Sequence, residues 1–325
     1  MAAFSIIPFF LAAAAPATSG SAQAITNVFD TIQQRQEVDS TTQADDVKVR
    51  RDANDRMTVA VHLGGDGPFR FLVDTGADRT AISSAVAARL GLAAGESASL
   101  HSMTGITSVQ TVTVPSLQLS RSNVRIVDAP LLDADKMGAD GILGTDSLRS
   151  QRVMFDFQQN VMTIVPSAQQ VAREDGTIVV TGRLKNGRLI VTNATADENV
   201  ITVILDTGAE VCVGNEALRL RLANDGLLKN TGAVQLQSVT GDLINGEYMF
   251  VKKLEMGDVT MTNLAVVFAD AHTFKQLGLE NRPALLLGMN ALRAFKKVSI
   301  DFANKKLRVV LPESGSLDPV RMAAR

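Results

Sequence analysis

The sequence predicts a mainly β protein of two pseudo-twofold-related lobes, each a small β-barrel-like unit with short helices. Three observations lead there: one ordered set of landmarks occurs twice, each copy opens on a strand–turn–strand pattern, and long amphipathic helical runs are few. Met57 to Asp74 aligns without a gap against Leu189 to Asp206. In both, an apolar strand leads through a Gly-, Asp- or Asn-containing turn into a second strand, the pattern of a β-hairpin. On the second strands Phe69, Phe71 and Val73 match Ile201, Val203 and Leu205, the period-two alternation of a half-buried strand.

The correspondence continues in order. Asp74-Thr75-Gly76-Ala77-Asp78 matches Asp206-Thr207-Gly208-Ala209-Glu210. Ser84 to Leu92 and Asn215 to Leu222 each read as a short helix behind a Ser or Asn cap, with Gly91 breaking the first near its end. Ser102-Met103-Thr104-Gly105 matches Ser238-Val239-Thr240-Gly241, each flanked by alternating residues that predict a further hairpin. Gly141 to Asp146 matches Leu285 to Asn290, and Val153 to Phe157 matches Val298 to Phe302, both running on into a last strand. The expected organisation is an N-terminal lobe over 52–168, a connection over 169–183, a C-terminal lobe over 184–312 and a tail over 313–325.

Composition narrows the chemistry. The chain has 325 residues, 46% of them apolar, which supports packed cores. A net charge of −2 without long basic runs, together with one Tyr and no Trp, leaves neither the electrostatics nor the stacking surface of a nucleic-acid binder. A single Cys, Cys212, excludes an intramolecular disulfide and a thiolate metal site. His62, His101 and His272 show no metal-ligand spacing, so neither a metal nor another cofactor is expected. Phe4 to Ala17 is apolar, and Ala22-Gln23-Ala24 places small residues as a leader-cleavage site does. Residues 1–24 therefore read as a signal peptide, export to a bacterial periplasm is the expected localisation, and a membrane enters only if the leader stays uncleaved. Residues 25–51 read as a polar linker or pro-segment, and no basic run there suggests a pepsin-type pro-segment.

A strand running into Asp-Thr-Gly ends with a carboxylate at a sharp turn. Gly76 and Gly208 lack a Cβ, so the turn can adopt unusual angles and another backbone can come close. The hydroxyls of Thr75 and Thr207 can cross to the partner loop. If a pseudo-twofold axis relates the copies, Asp74 and Asp206 face each other. Two adjoining carboxylates do not both ionise cheaply, so one holds a proton while the other can act as base on a shared water. That chemistry needs no metal and no covalent intermediate.

These motifs resemble the retropepsin-like branch of the aspartic peptidases, over roughly residues 52 to 312. The resemblance implies the acid-protease fold, a cleft between lobes, and an extended peptide or protein substrate held beneath two flaps. It makes Asp74 and Asp206 catalytic, and gives Thr75 and Thr207 the tying of the dyad loops. Gly76, Ala77, Asp78, Gly208, Ala209 and Glu210 would line the cleft, with Met103, Thr104, Gly105, Val239, Thr240 and Gly241 as flap tips. Retroviral members place an Arg directly after the late Gly, where it pairs with the acid of the dyad loop. Here Thr145 and Met289 stand there, so Asp78 and Glu210 need other partners or stay solvated. The only Tyr, Tyr248, lies past the second flap, unlike the first-lobe flap Tyr of pepsin-like enzymes. With both halves in one chain, the expectation is an active monomer of pseudo-dimeric lobes. Ala77 and Ala209 stand where pepsin-like enzymes carry Ser or Thr, so the dyad is expected to titrate higher than theirs. Two alternatives remain: a catalytically silent peptide-binding relative, and an actin/Hsp70-type ATPase, which also carries paired Asp-x-Gly loops. Cys212 reads as a packing residue.

Overall fold

The computed structural model describes residues 57–119, 122–170, 174–224 and 232–312, together with short strands within 3–12, 46–51 and 321–324. The rest of the expected leader, linker and tail lies outside the described residues. Four short strands come first: β1 (Ala3–Ser5), β2 (Phe9–Ala12), β3 (Asp46–Val47) and β4 (Arg50–Arg51). The first lobe follows with β5 (Met57–Leu63), β6 (Asp66–Val73), β7 (Ala81–Ser83), β8 (Ala94–His101), β9 (Ile106–Leu119), β10 (Ser122–Leu132) and β11 (Gly141–Leu143). Next are β12 (Gln151–Asp156), β13 (Val161–Pro166), β14 (Thr177–Thr181) and β15 (Arg183–Lys185). The second lobe holds β16 (Arg188–Ala196), β17 (Asn199–Leu205), β18 (Cys212–Gly214), β19 (Gly232–Ser238), β20 (Leu243–Met256), β21 (Val259–Phe268) and β22 (Ala284–Leu287). β23 (Lys297–Asp301), β24 (Lys306–Val310) and β25 (Arg321–Ala324) close the chain.

Both lobes have the same strand order. In the first it is β8-β9-β10-β7-β11-β6-β5, and in the second β19-β20-β21-β18-β22-β17-β16. Each sheet curls until its ends meet, through β5 with β9 and β16 with β20, which gives the barrel-like shape. A third sheet, β14-β24-β23-β12-β13-β3, joins the lobes through the antiparallel pair β12–β23. The stretch expected to be a plain connection, 169–183, thus includes β14, whose alternating Ile178 and Val180 let it pair with β24. The longest helix among the described residues is Glu216–Asn224, and none is long and apolar enough to cross a membrane.

The alternation read in the sequence governs packing. On β5, Met57, Val59, Val61 and Leu63 point inward while Ala60 and His62 are exposed. The ends of β6 and β17 are buried on both faces. Phe71, Val73, Val203 and Leu205 enter the core shared by the lobes, whereas Leu72 and Ile204 belong to clusters on the cleft side. Each such side chain contributes about 1.5–3 kcal/mol by leaving water. Ser83 caps the first short helix, its Oγ accepting from Val86 N at 3.1 Å, and Asn215 Oδ1 accepts from Leu218 N at 3.0 Å at the matching place.

One buried ion pair ties the lobes beneath the cleft. Arg152 on β12 donates from Nη2 to Asp301 Oδ2 on β23 at 2.8 Å, and from Nε to the same oxygen at 3.0 Å. Burial alone would raise the pKa of Asp301, but hydrogen bonds from the side chain and backbone of Asn304 and from Arg152 bring it down to about 2. A depressed acid contributes stability above its unfolded pKa and loses it as pH falls through the folded value. Thermal melts should therefore show wild type losing this contribution between about pH 4 and pH 2. Asp301→Ala should cost about 3–5 kcal/mol at neutral pH, because it strands a buried guanidinium.

Candidate active site

β6 and β17 deliver Asp74 and Asp206 to two facing loops. Backbone N–H groups of Asp74 and Asp206 bond Leu143 and Leu287, the last residues of β11 and β22, so each loop rests on the late strand of its own lobe. Across the lobes the bonds are reciprocal. Thr75 N donates to Thr207 Oγ1 and Thr207 N donates to Thr75 Oγ1, both at 3.1 Å. Thr75 Oγ1 then donates to Leu205 O at 2.9 Å, and Thr207 Oγ1 to Val73 O at 2.7 Å. Each hydroxyl is thereby both acceptor and donor, and four bonds join loops 132 positions apart in sequence.

The two carboxylates are fully buried. Asp74 Oδ1 accepts from Gly76 N at 2.7 Å and Ala77 N at 3.0 Å; Asp206 Oδ1 accepts from Gly208 N at 3.0 Å and Ala209 N at 3.1 Å. Among the described residues neither Oδ2 has a hydrogen-bond donor within reach by geometry. The reason for glycine is close approach rather than backbone angle, since neither Gly76 nor Gly208 has a positive φ. A Cβ on Gly76 would lie 2.6 Å from Asp206 Oδ1, and one on Gly208 would lie 2.5 Å from Asp74 Oδ1. Gly76→Ala or Gly208→Ala must therefore displace the facing carboxylate. A loss of about 10²-fold in kcat, with the fold retained by circular dichroism, is the expected result.

Burial raises the pKa of Asp74 well above the usual carboxylate range, and the charge of Asp206 raises it further. Burial also raises Asp206, to about 6, against the hydrogen bonds of Gly208 and Ala209 and the charge of Arg188. Ala77 and Ala209 are themselves buried and offer no hydroxyl to either carboxylate. The arrangement can hold one proton and one negative charge side by side near neutral pH.

Arg188 was not singled out in the sequence. This fully buried side chain from the second lobe donates from Nε to Gly76 O in the first, at 2.6 Å. Burial lowers its pKa, and the charge of Asp78 is the strongest opposing influence, ahead of Asp74 and Asp206. The acid that lacks an Arg after the late Gly thus faces one from the other lobe. A signal was available: Arg56 precedes Met57 as Arg188 precedes Leu189, although Arg56 lies outside the described residues. Asp78 and Glu210 are both half-buried.

Cys212 is structural. Its Sγ accepts from Gly288 N at 3.3 Å and meets Asn290 Oδ1 at 3.1 Å, while burial pushes the thiol up to about 12. The first lobe uses Thr80 for the same contacts, with Gly144 N at 3.1 Å and Asp146 Oδ1 at 2.7 Å.

β8–β9 and β19–β20 form the two flap hairpins. Met103 and Val239 at their tips are fully buried, and each belongs to the other lobe's cleft-side cluster. Met103 lies with Ile190, Ala209 and Val211; Val239 lies with Leu72, Ala77 and Ile142. Thr104, Gly105, Thr240 and Gly241 are half-buried. The first flap is held by His272 N donating to Met103 O at 2.8 Å. Beside this bond His101 Nδ1 and His272 Nε2 are 3.0 Å apart, a pairing that 171 positions of separation concealed in the sequence.

The family described as gag-polyprotein putative aspartyl protease matches residues 59–150, and the family described as aspartyl protease matches 191–291. Among solved structures, a retropepsin-like aspartic protease from Rickettsia conorii is 21% identical, covering 46% of this chain and 94% of that one, with a TM-score of 0.28. Among curated proteins none matches the chain. With an aspartyl protease match in each half, a mainly β fold and two facing Asp-Thr-Gly loops, the chain belongs to the retropepsin-like aspartic peptidases and carries both lobes in one polypeptide.

Proposed function

We propose that the protein is an aspartic endopeptidase that cleaves extended peptides with a water activated between Asp74 and Asp206. The observation that carries this reading is the pair of buried carboxylates, each packed on the opposite loop's glycine with one oxygen that meets no donor among the described residues. Both carboxyl groups are raised by burial, so near neutral pH one member of the pair holds the proton while the other is ionised. The ionised carboxylate takes a proton from water as its oxygen adds to the scissile carbonyl carbon, and the protonated one donates to the carbonyl oxygen. As the tetrahedral intermediate collapses, one hydroxyl of the gem-diol returns its proton to one carboxylate while the other carboxyl protonates the leaving nitrogen, the C–N bond breaks, and one shared proton remains on the dyad.

The flaps must lift for substrate to enter, because Met103 and Val239 fill the apolar pockets beside Ala209 and Ala77. Those pockets then become free for apolar substrate side chains. We assign the working form to a monomer, since the covalently joined lobes supply both halves of the dyad, and to the periplasm on the strength of the leader-like residues 1–24.

The test is hydrolysis of a quenched fluorogenic peptide library across pH. The acid limb should fall near the Asp206 value of about 6 and activity should extend towards neutrality. An optimum below about pH 3 would contradict the buried, raised dyad.

A further inference from the structure

The open edges of the two flaps are already paired. β1 runs parallel to β8, with Ala3 opposite Ser99, Phe4 opposite Leu100 and Ser5 opposite His101. β2 runs antiparallel to β19, from Phe9 opposite Ser238 to Ala12 opposite Gln235. β8 and β19 are equivalent strands of the two lobes, and the paired edges are equivalent too. A single extended chain crossing between symmetry-related flaps must be parallel to one and antiparallel to the other, because lobe direction reverses across the axis. That is the relation found here. The register also converges on the tips. Ser5 reaches His101, two residues before Met103, and Phe9 reaches Ser238, immediately before Val239. Only three residues separate the two paired segments in sequence.

We propose that β1 (Ala3–Ser5) and β2 (Phe9–Ala12) occupy the substrate edge of the cleft as a built-in pseudosubstrate. The proposal rests on the peptidase reading only for what the cleft does. It also names the substrate class: an extended, uncharged segment rich in large apolar residues, as Phe4, Ile6, Ile7, Phe9, Phe10 and Leu11 are, with no charged side chain before Asp30. Backbone pairing with both flaps supplies affinity. A tethered segment acts at an effective concentration in the millimolar range, so even weak intrinsic binding keeps the edge filled. These residues are the same ones that read as an export leader. Removing the leader would free both edges at once, so the chain that retains residues 3–12 is the inhibited form.

The experiment uses the full chain with Phe4→Pro and Phe10→Pro, since proline cannot donate to a strand pair. Hydrogen–deuterium exchange should accelerate at the outward amides of Ser99–His101 and Gln235–Ser238. Exchange in β12 and β23 of the lobe-joining sheet should stay unchanged, which shows that the fold is intact. The synthetic decapeptide Ala3–Ala12 added to this variant should restore protection at both edges. Unchanged exchange at both edges, or no effect of the peptide at millimolar concentration, overturns the proposal. These readouts are repeated in an Asp74→Asn background, where no turnover is needed, so failure of the peptidase reading remains distinguishable. In the active background KM for a library peptide should fall by about tenfold with kcat unchanged, as expected on removing a tethered competitor. An unchanged KM also counts against it.

Discussion

Asp74→Asn and Asp206→Asn are each expected to lower kcat by about 10²–10⁴-fold, the range associated with a positioned acid or base. The double variant should be scarcely worse than either single one, because the two side chains share one proton and act as a unit. Neither change should unfold the protein. The raised pKa values mean that the native state holds protons more tightly than the unfolded chain does. A raised acid contributes stability fully present below the unfolded pKa, near 4, and lost as pH rises through the folded value. For Asp206 that loss runs from about pH 4 to beyond pH 6. An amide cannot ionise and escapes it. Each Asn variant should therefore melt progressively higher relative to wild type as pH is raised from 4.5 to 7.5. Near-normal turnover in either variant would remove the dyad assignment, and a constant melting difference across pH would remove the electrostatic account.

The second large effect is expected at Arg188. Arg188→Met removes a fully buried guanidinium that bonds Gly76 O and whose charge interacts with Asp78. Losing the Nε donor leaves the buried Gly76 carbonyl without that bond, at a cost of about 1–3 kcal/mol. The dyad should respond as well, because the Arg188 charge holds down both Asp74 and Asp206. The acid limb of the pH–rate profile should move to higher pH in Arg188→Met. Arg188→Lys keeps the charge but not the planar donor aimed at Gly76, so the limb should stay closer to wild type while stability still falls. A melting loss with no movement of the limb would leave Arg188 a purely structural brace.

Much of this arrangement was legible in local pattern. Asp-Thr-Gly-Ala at 74–77 and 206–209, each behind an alternating strand, marks both dyad loops, because period-two burial and a glycine at a close approach leave traces in neighbouring residues. The flap tips were legible as Ser-x-Thr-Gly at 102–105 and 238–241. Their burial was not. Met103 enters a pocket built from residues beyond 189 and Val239 one built from residues before 143, and no local rule reports such a crossing. The role of the two Gly residues was only half visible. Their freedom from a Cβ was plain, but what it serves is a facing carboxylate rather than a strained turn. Arg188 and the His101–His272 contact stayed hidden for a related reason: each joins residues more than a hundred positions apart.

Read alone, the amino-acid order established the chemistry on offer: two equivalent acidic loops, β hairpins to present them, and no thiolate cluster or histidine-rich motif as a rival. Those are properties of spacing and residue type, set within a few turns of chain. Which oxygen is left without a donor, which lobe supplies the cation for Asp78, and which segment lies along the flap edges were decided by packing. Burial, carboxylate separation and the local field depend on atoms brought together from both halves, and they exist only once the lobes have closed on each other.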